Sequence, residues 1–171
     1  MATTLWNYTG THVVIQYLWH HVRTELGWNA DNYGGLVPIV SPAQEPEVNS
    51  FSGPFAVYSY SIQPTAMWIM DRDMVGISVF SQKPSDVTQF VNLAKAKLER
   101  QDETARDINE FVSNLTDPDL ADLKNFEIKT VSMRSANGPQ PPVQEGGRYD
   151  GAVVFAVDYV MFDENGESPR Q

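Results

Sequence analysis

The chain contains no cysteine. Disulfides, thiol nucleophiles and cysteine-ligated zinc are therefore excluded. Histidine is scarce: the three are His12, His20 and His21. Only His21 and Glu25 have the i,i+4 spacing of a helical chelate, and a third ligand would have to come from elsewhere. The pair reads as a helix-surface contact of modest worth, and no metal is expected. Basic residues are few as well. Twelve Lys and Arg stand against 22 Asp and Glu, a net charge of −10. They are scattered, the densest grouping being Lys95, Lys97 and Arg100. That excludes a general nucleic-acid binder, which must displace counterions, and a polybasic membrane anchor. No apolar run approaches the ~20 residues of a bilayer span. The opening MATTLWNYTGTH lacks the basic-then-apolar order of a signal peptide, so synthesis in the cytoplasm is expected.

Catalytic signatures are missing too. Gly34-Gly35 precedes a strand-like run and Gly146-Gly147 lies among prolines, so neither forms a phosphate-binding loop at a helix start. There is no nucleophile elbow, zinc-protease motif or calcium-binding loop. Neither an enzyme nor a cofactor is expected.

What is present is material for one core. The chain has 171 residues, 42% hydrophobic and 11% aromatic, which fits one domain over 1–171. Residues 1–10 read as an N-terminal arm. Val14, Tyr17, Leu18 and Val22 recur at helical spacing, so 11–26 reads as a helix stopped by Gly27. Leu36–Val40 reads as a strand carrying Pro38, hence an edge strand, and 41–53 as a loop. PFAVYSYSI at 54–62 alternates like a strand. Residues 66–71 and 74–81 read as two strands around a turn at Asp71-Arg72-Asp73, or as one long bent strand. Val87, Phe90, Val91, Ala94 and Leu98 predict a helix from Pro84, with Ser85 able to cap it. The stripe restarts at Ile108, Phe111, Val112 and Leu115 and ends before Pro118. Leu120 and Leu123 imply a short helical turn. FEIKTVSMR (126–134) and DGAVVFAVDYVMF (150–162) read as strands. The long polar loop 135–149 separates them, and 163–171 reads as a flexible tail. The expected fold is α+β, a single mostly antiparallel sheet with an N-terminal helix and one or two central helices packed on it. The 150–162 strand is apolar on both faces, which places it centrally in a covered sheet or against a partner chain.

Some residues stand out. Asp71, Arg72 and Asp73 read as acid/base or cation-binding groups, or as a solvated hairpin tip, and the tip is the preferred reading. Asp158, inside an apolar strand, needs a hydrogen-bonding partner within the chain or across a subunit boundary. Trp6 and Trp28 lie outside periodic segments, as interface anchors often do.

The order of elements, with the runs LVPIVSPAQEPEV and PFAVYSYSI, resembles the tail terminator (tail-completion) proteins of tailed bacteriophages. The matching residues are Pro38, Ile39, Val40, Pro42, Gln44, Pro46 and Glu47, then Pro54, Phe55, Tyr58 and Tyr60. The resemblance spans about 10–162 and carries no catalytic signature. It implies a virion protein of the tail and neck. Such a protein forms a homo-oligomeric ring, commonly a hexamer, on the last tail-tube ring, and joins the tube to the neck (connector) protein. In contractile tails it also meets the sheath. DNA passes through the lumen without specific binding, which an acidic, lysine-poor wall would favour. Pro42, Gln44, Pro46 and Glu47, with Trp6, Trp28, Asp71–Asp73 and Asp158, are the expected interface residues. Another head–tail connector subunit, or a small ligand-binding or enzyme domain, are the alternative readings.

Overall fold

A computed structural model describes residues 7–28, 39–42, 53–65, 69–163 and 165–168. The fold is α+β: a five-stranded, mostly antiparallel sheet with several helices packed on it. In chain order the elements are α1 (Gly10–Leu26), β1 (Ile39–Val40), β2 (Phe55–Gln63) and β3 (Asp71–Ser81). Then come α2 (Pro84–Leu98), α3 (Asp102–Ser113), a 3₁₀ helix (Pro118–Asn125), β4 (Phe126–Gln140) and β5 (Tyr149–Met161). Counting the 3₁₀ segment, four helices are described rather than two or three.

The sheet order is β1-β2-β3-β5-β4. Only β1 runs parallel to its neighbour, and it lies at the edge as expected, with both residues buried. Pro38 lies outside the described residues. β5 is held between β3 and β4, with Asp71 opposite Tyr159 at one end and Ser81 opposite Tyr149 at the other. Alternate residues of β3 and β5 (Val75, Ile77 and Val79; Val153, Phe155 and Val157) are buried and join the helices in one core. The stripe of α2 meets them there: Val87, Phe90, Val91, Ala94 and Leu98 are all buried. The opposite sheet face pairs Ser59 with Gly76 and Ser61 with Met74, and Ser59, Ser61 and Ser78 are exposed.

Four local expectations need correction. The long polar loop does not begin at 135, because β4 continues to Gln140. Pro139 is tolerated because β4 is an edge strand and because it falls in an irregularity between Asn137 and Gln140, so its missing N–H breaks no ladder bond. There is no turn at 71–73, since those residues begin β3 in regular pairing with β5. Ser85 does not cap α2: the N-cap is Lys83, which makes no side-chain cap bond, and Ser81 before it accepts from the Lys83 N–H and donates to Asp86 at 2.6 Å. The described part of the 163–171 tail is a formed turn. The Asp163 carboxylate accepts from the Asn165 and Glu167 N–H groups, and Ser168 is buried.

Helices α2 and α3 are separate because Gln101 adopts φ 49° and ψ −106°, a conformation that no right-handed helix continues through. The break turns α3 back along β4. There Asn109 clasps the strand edge: its amide donates to the Ile128 carbonyl at 2.8 Å and accepts from the Ile128 N–H at 2.9 Å. One side chain thus satisfies both outward backbone groups of an edge residue. Asn109→Ala leaves both without that partner, and we expect a loss of about 2 kcal/mol. Urea denaturation would read it as a lower midpoint with an unchanged slope.

Candidate functional site

Helix α1 starts at a point fixed by three neighbours. Thr9 is its N-cap, and its hydroxyl accepts from the Thr11 N–H at 3.2 Å. His12 occupies the third helical position and completes a capping box, with its Nδ1 accepting from the Thr9 N–H at 3.0 Å. At the far end Gly27, at φ 72°, closes the helix in the left-handed conformation that glycine adopts without strain. The first turn carries no acid of its own.

The missing negative charge arrives from the sheet. Asp73 has no exposed surface. Its carboxylate accepts from the Thr11 hydroxyl at 2.6 Å, the Thr11 N–H at 3.4 Å and the Tyr159 hydroxyl at 3.2 Å. A buried anion is costly unless it is paired or fully hydrogen-bonded, and here the helix N-terminus and two hydroxyls do the work of a counter-ion. Burial, reinforced by the Asp73 and Asp71 carboxylates, pushes the Tyr159 hydroxyl well above its ordinary range, so it remains a donor. The Tyr159 ring also lies against Gly10, where an added Cβ would fall 2.3 Å from ring carbon Cδ1. Only glycine allows the helix to start there.

Arg72 points to the other face of the sheet. Its guanidinium grips Asp158 with two parallel bonds of 2.6 and 2.7 Å, and the Thr130 hydroxyl adds a third at 2.9 Å. The Arg72 hydrogen bonds hold the Asp158 carboxyl below the usual carboxylate range. Asp158 therefore has a partner within the chain, as its position demanded. Arg72 and Asp73 are not a solvated tip: one is bound to Asp158 and the other is buried. Both carboxylates have hydrogen bonds within the chain.

Of the ten residues singled out from the sequence, Asp71, Arg72, Asp73 and Asp158 converge at one end of the sheet. Trp28 does not present its ring to a partner. It is 5% exposed and stacked on Phe90 at 5.7 Å, within the core. Pro42 is exposed. Trp6, Gln44, Pro46 and Glu47 lie outside the described residues. The His21–Glu25 pair forms at 2.8 Å, and Glu25 also meets Lys97 at 2.8 Å, tying α1 to α2. Among the described residues no group of three or more His, Asp or Glu could hold a metal ion. No described helix is long and apolar enough to cross a membrane.

Thr11, His12, Thr130 and Tyr159 were missed. The spacing Thr9-x-x-His12 is that of a capping box with histidine as the acceptor, and it could have been found. The partners of Asp73 and Asp158 are distant in sequence and carry no such signal.

The described surface also has concavities. A cleft of ≈ 480 Å³ lies between α1 and the segment from α3 into the 3₁₀ helix, floored by Trp19, Phe111, Leu115 and Leu120. A smaller hollow of ≈ 170 Å³ adjoins His12, Tyr8 and Tyr58.

Two outcomes follow. Asp73→Ala leaves the Thr11 and Tyr159 hydroxyls without their acceptor and strips α1 of its anion, so calorimetry should show a loss of roughly 2–4 kcal/mol. His12 titrates below its ordinary range, chiefly because burial disfavours its charge, although the Thr9 bond and Asp73 oppose this. Tyr8, Tyr58 and Tyr60 surround its ring. The unfolded chain therefore binds a proton more readily than the folded one as pH falls through about 6.5, and stability should decline from pH 7 toward 5. His12→Gln keeps an acceptor at the third helical position, and thermal melts should show a shallower decline. The remainder belongs to His21, which burial also shifts down.

Comparison with protein families finds no matching family model, and comparison with curated proteins finds no significant match.

Proposed function

We propose that this chain is a non-enzymatic structural protein of a tailed-phage virion. It is a tail terminator whose copies form a ring, hexameric as in the family it resembles, that caps the tail tube and joins it to the neck. On this reading it is made in the host cytoplasm and resides in the tail. Its partners are further copies of itself, the tube protein, the neck protein and, in a contractile tail, the sheath.

The observation that carries the reading is the placement of uncovered apolar side chains. Tyr60, Ile62 and Ile69 are 40%, 63% and 38% exposed, and they cluster where β2 turns into β3. Val143 is 99% exposed, between the paired ends of β4 and β5. The register puts these groups at opposite ends of the sheet. A protein that meets neighbours on two sides needs such ends, whereas an enzyme needs convergent polar groups around a pocket. Here the two buried carboxylates have their hydrogen bonds inside the chain. The charge of −10 further supports a wall past which DNA moves without sticking.

Another connector subunit would share these features and differ in the ring it binds. The aromatic cleft between α1 and α3 favours a ligand-binding domain as the competing class.

Light scattering across protein concentration separates the classes. The terminator reading expects monomers or weak association at low micromolar concentration, with higher mass as concentration rises or when tail tubes are added. A concentration-independent monomer that ignores tubes would overturn it and point to the ligand-binding class. A stable hexamer at low micromolar concentration would retain the ring and overturn only the weak association.

A further inference from the structure

We propose that the outer edge of β2 pairs with the same edge of a second copy, antiparallel across a two-fold axis at Ser61, joining two five-stranded sheets into one. The pairing stands on the sheet edge and does not depend on the ring reading above.

The two edges of the sheet are built differently. The β4 edge is guarded. Its register breaks at three places, Pro139 lies in the last of them, and Lys129 and Arg134 are exposed along it. Asn109 also occupies the outward N–H and carbonyl of Ile128. Irregularity, proline and positive charge are the devices that stop a sheet edge from recruiting another strand. The β2 edge has none of them. Phe55–Gln63 reads FAVYSYSIQ, without charge or proline, and its register against β3 is unbroken. β1 covers only Ala56 and Val57. From Tyr58 to Gln63 no strand among the described residues lies on the outer side. Backbone groups in that position call for an extended strand, and no other kind of surface satisfies them in series.

The sequence of this edge is its own complement. In an antiparallel pair directly opposite residues share a face. With Ser61 opposite its own symmetry mate, Tyr60 lies opposite Ile62, and Ser59 opposite Gln63. Tyr60 and Ile62 are 40% and 63% exposed, and the two-fold brings them together twice as aromatic–β-branched pairs, a favoured combination. The polar face matches hydroxyl with hydroxyl and hydroxyl with amide. This register stops short of the positions β1 occupies, and Pro64, which has no N–H, ends it.

Charge selects the same stretch. From Val48 to Met70 no residue is charged, in a chain where 20% are and the net charge is −10. Two copies repel least where these stretches meet. A two-fold contact is closed, so it stops at two copies and leaves only the guarded β4 edges free. Five residues of strand bury less than a stable interface needs, so the dimer is weak and forms as concentration rises.

Sedimentation equilibrium across concentration should show a reversible rise from 19.2 kDa to twice that mass and no further. Ser61→Lys sets two ammonium groups opposite each other and should weaken dimerisation at least tenfold, with an unchanged circular dichroism spectrum. The absence of cysteine gives a clean background for a second readout. Ser61→Cys places two thiols at the Cα separation of a strand pair, roughly 4.5–5.5 Å, which a disulfide spans. Mild oxidation should link it into dimers under conditions that leave Ser78→Cys, exposed on the same sheet face, unlinked. A parent that stays at 19.2 kDa up to millimolar concentration would overturn the pairing, and the ring reading would then be decided by tail tubes alone. Growth past the dimer, with Ser61→Lys associating like the parent, would overturn the pairing and favour the ring. Equal linkage of the two cysteine variants would overturn the register at Ser61.

Discussion

A carboxylate without exposed surface decides where the first helix sits. Asp73 is carried by β3, yet its hydrogen bonds go to Thr11 in α1 and Tyr159 in β5. Because the helix has no acid in its first turn, the sheet supplies the charge its N-terminus attracts. Because the anion has no cationic partner among the described residues, it depends on those donors. Each side satisfies the other, and the dependence runs both ways. The Tyr159 ring against Gly10 then fixes the helix start to within the width of a methyl group. From that start α1 lays Val13, Val14, Tyr17, Leu18 and Val22 into the core, and its outer side becomes one wall of the cleft.

The second polar contact lies on the opposite face of the same sheet end. Arg72 and Asp158 are cross-strand partners in register, and their forked bond is stronger than that of a simple ion pair in the open. With Asp73 on one side and Arg72 on the other, this end of the sheet is held through its full thickness. The other end carries the loop between β4 and β5, where Val143 is exposed.

How much of this could be read from the sequence depended on distance along the chain. The helix at 84–98 and the strand ending near 161 were legible because their periodicity is local and strong. The edge position of β1 followed from one proline. The Asp71-Arg72-Asp73 triplet misled because three charges between apolar runs look like a solvated turn. Its alternation places Arg72 and Asp73 on opposite faces, where each meets a residue 62 or 86 positions away, and local pattern cannot see such partners. Residues 135–140 read as loop because Gly and Pro usually break strands, although an irregular edge strand accepts them. Trp28 looked like an anchor only because it follows the helix that ends at Leu26. In fact the chain turns at Gly27 and lays its ring on Phe90.

The central claim is that this fold serves as a ring subunit on a tail tube. Electron microscopy of tail tubes assembled from the cognate tube protein, with and without this chain, tests it most directly. The account predicts a ring of extra density at one end of each tube, and tubes that stop growing once capped. Bare tube ends, with growth unaffected by a saturating amount of the protein, would contradict it.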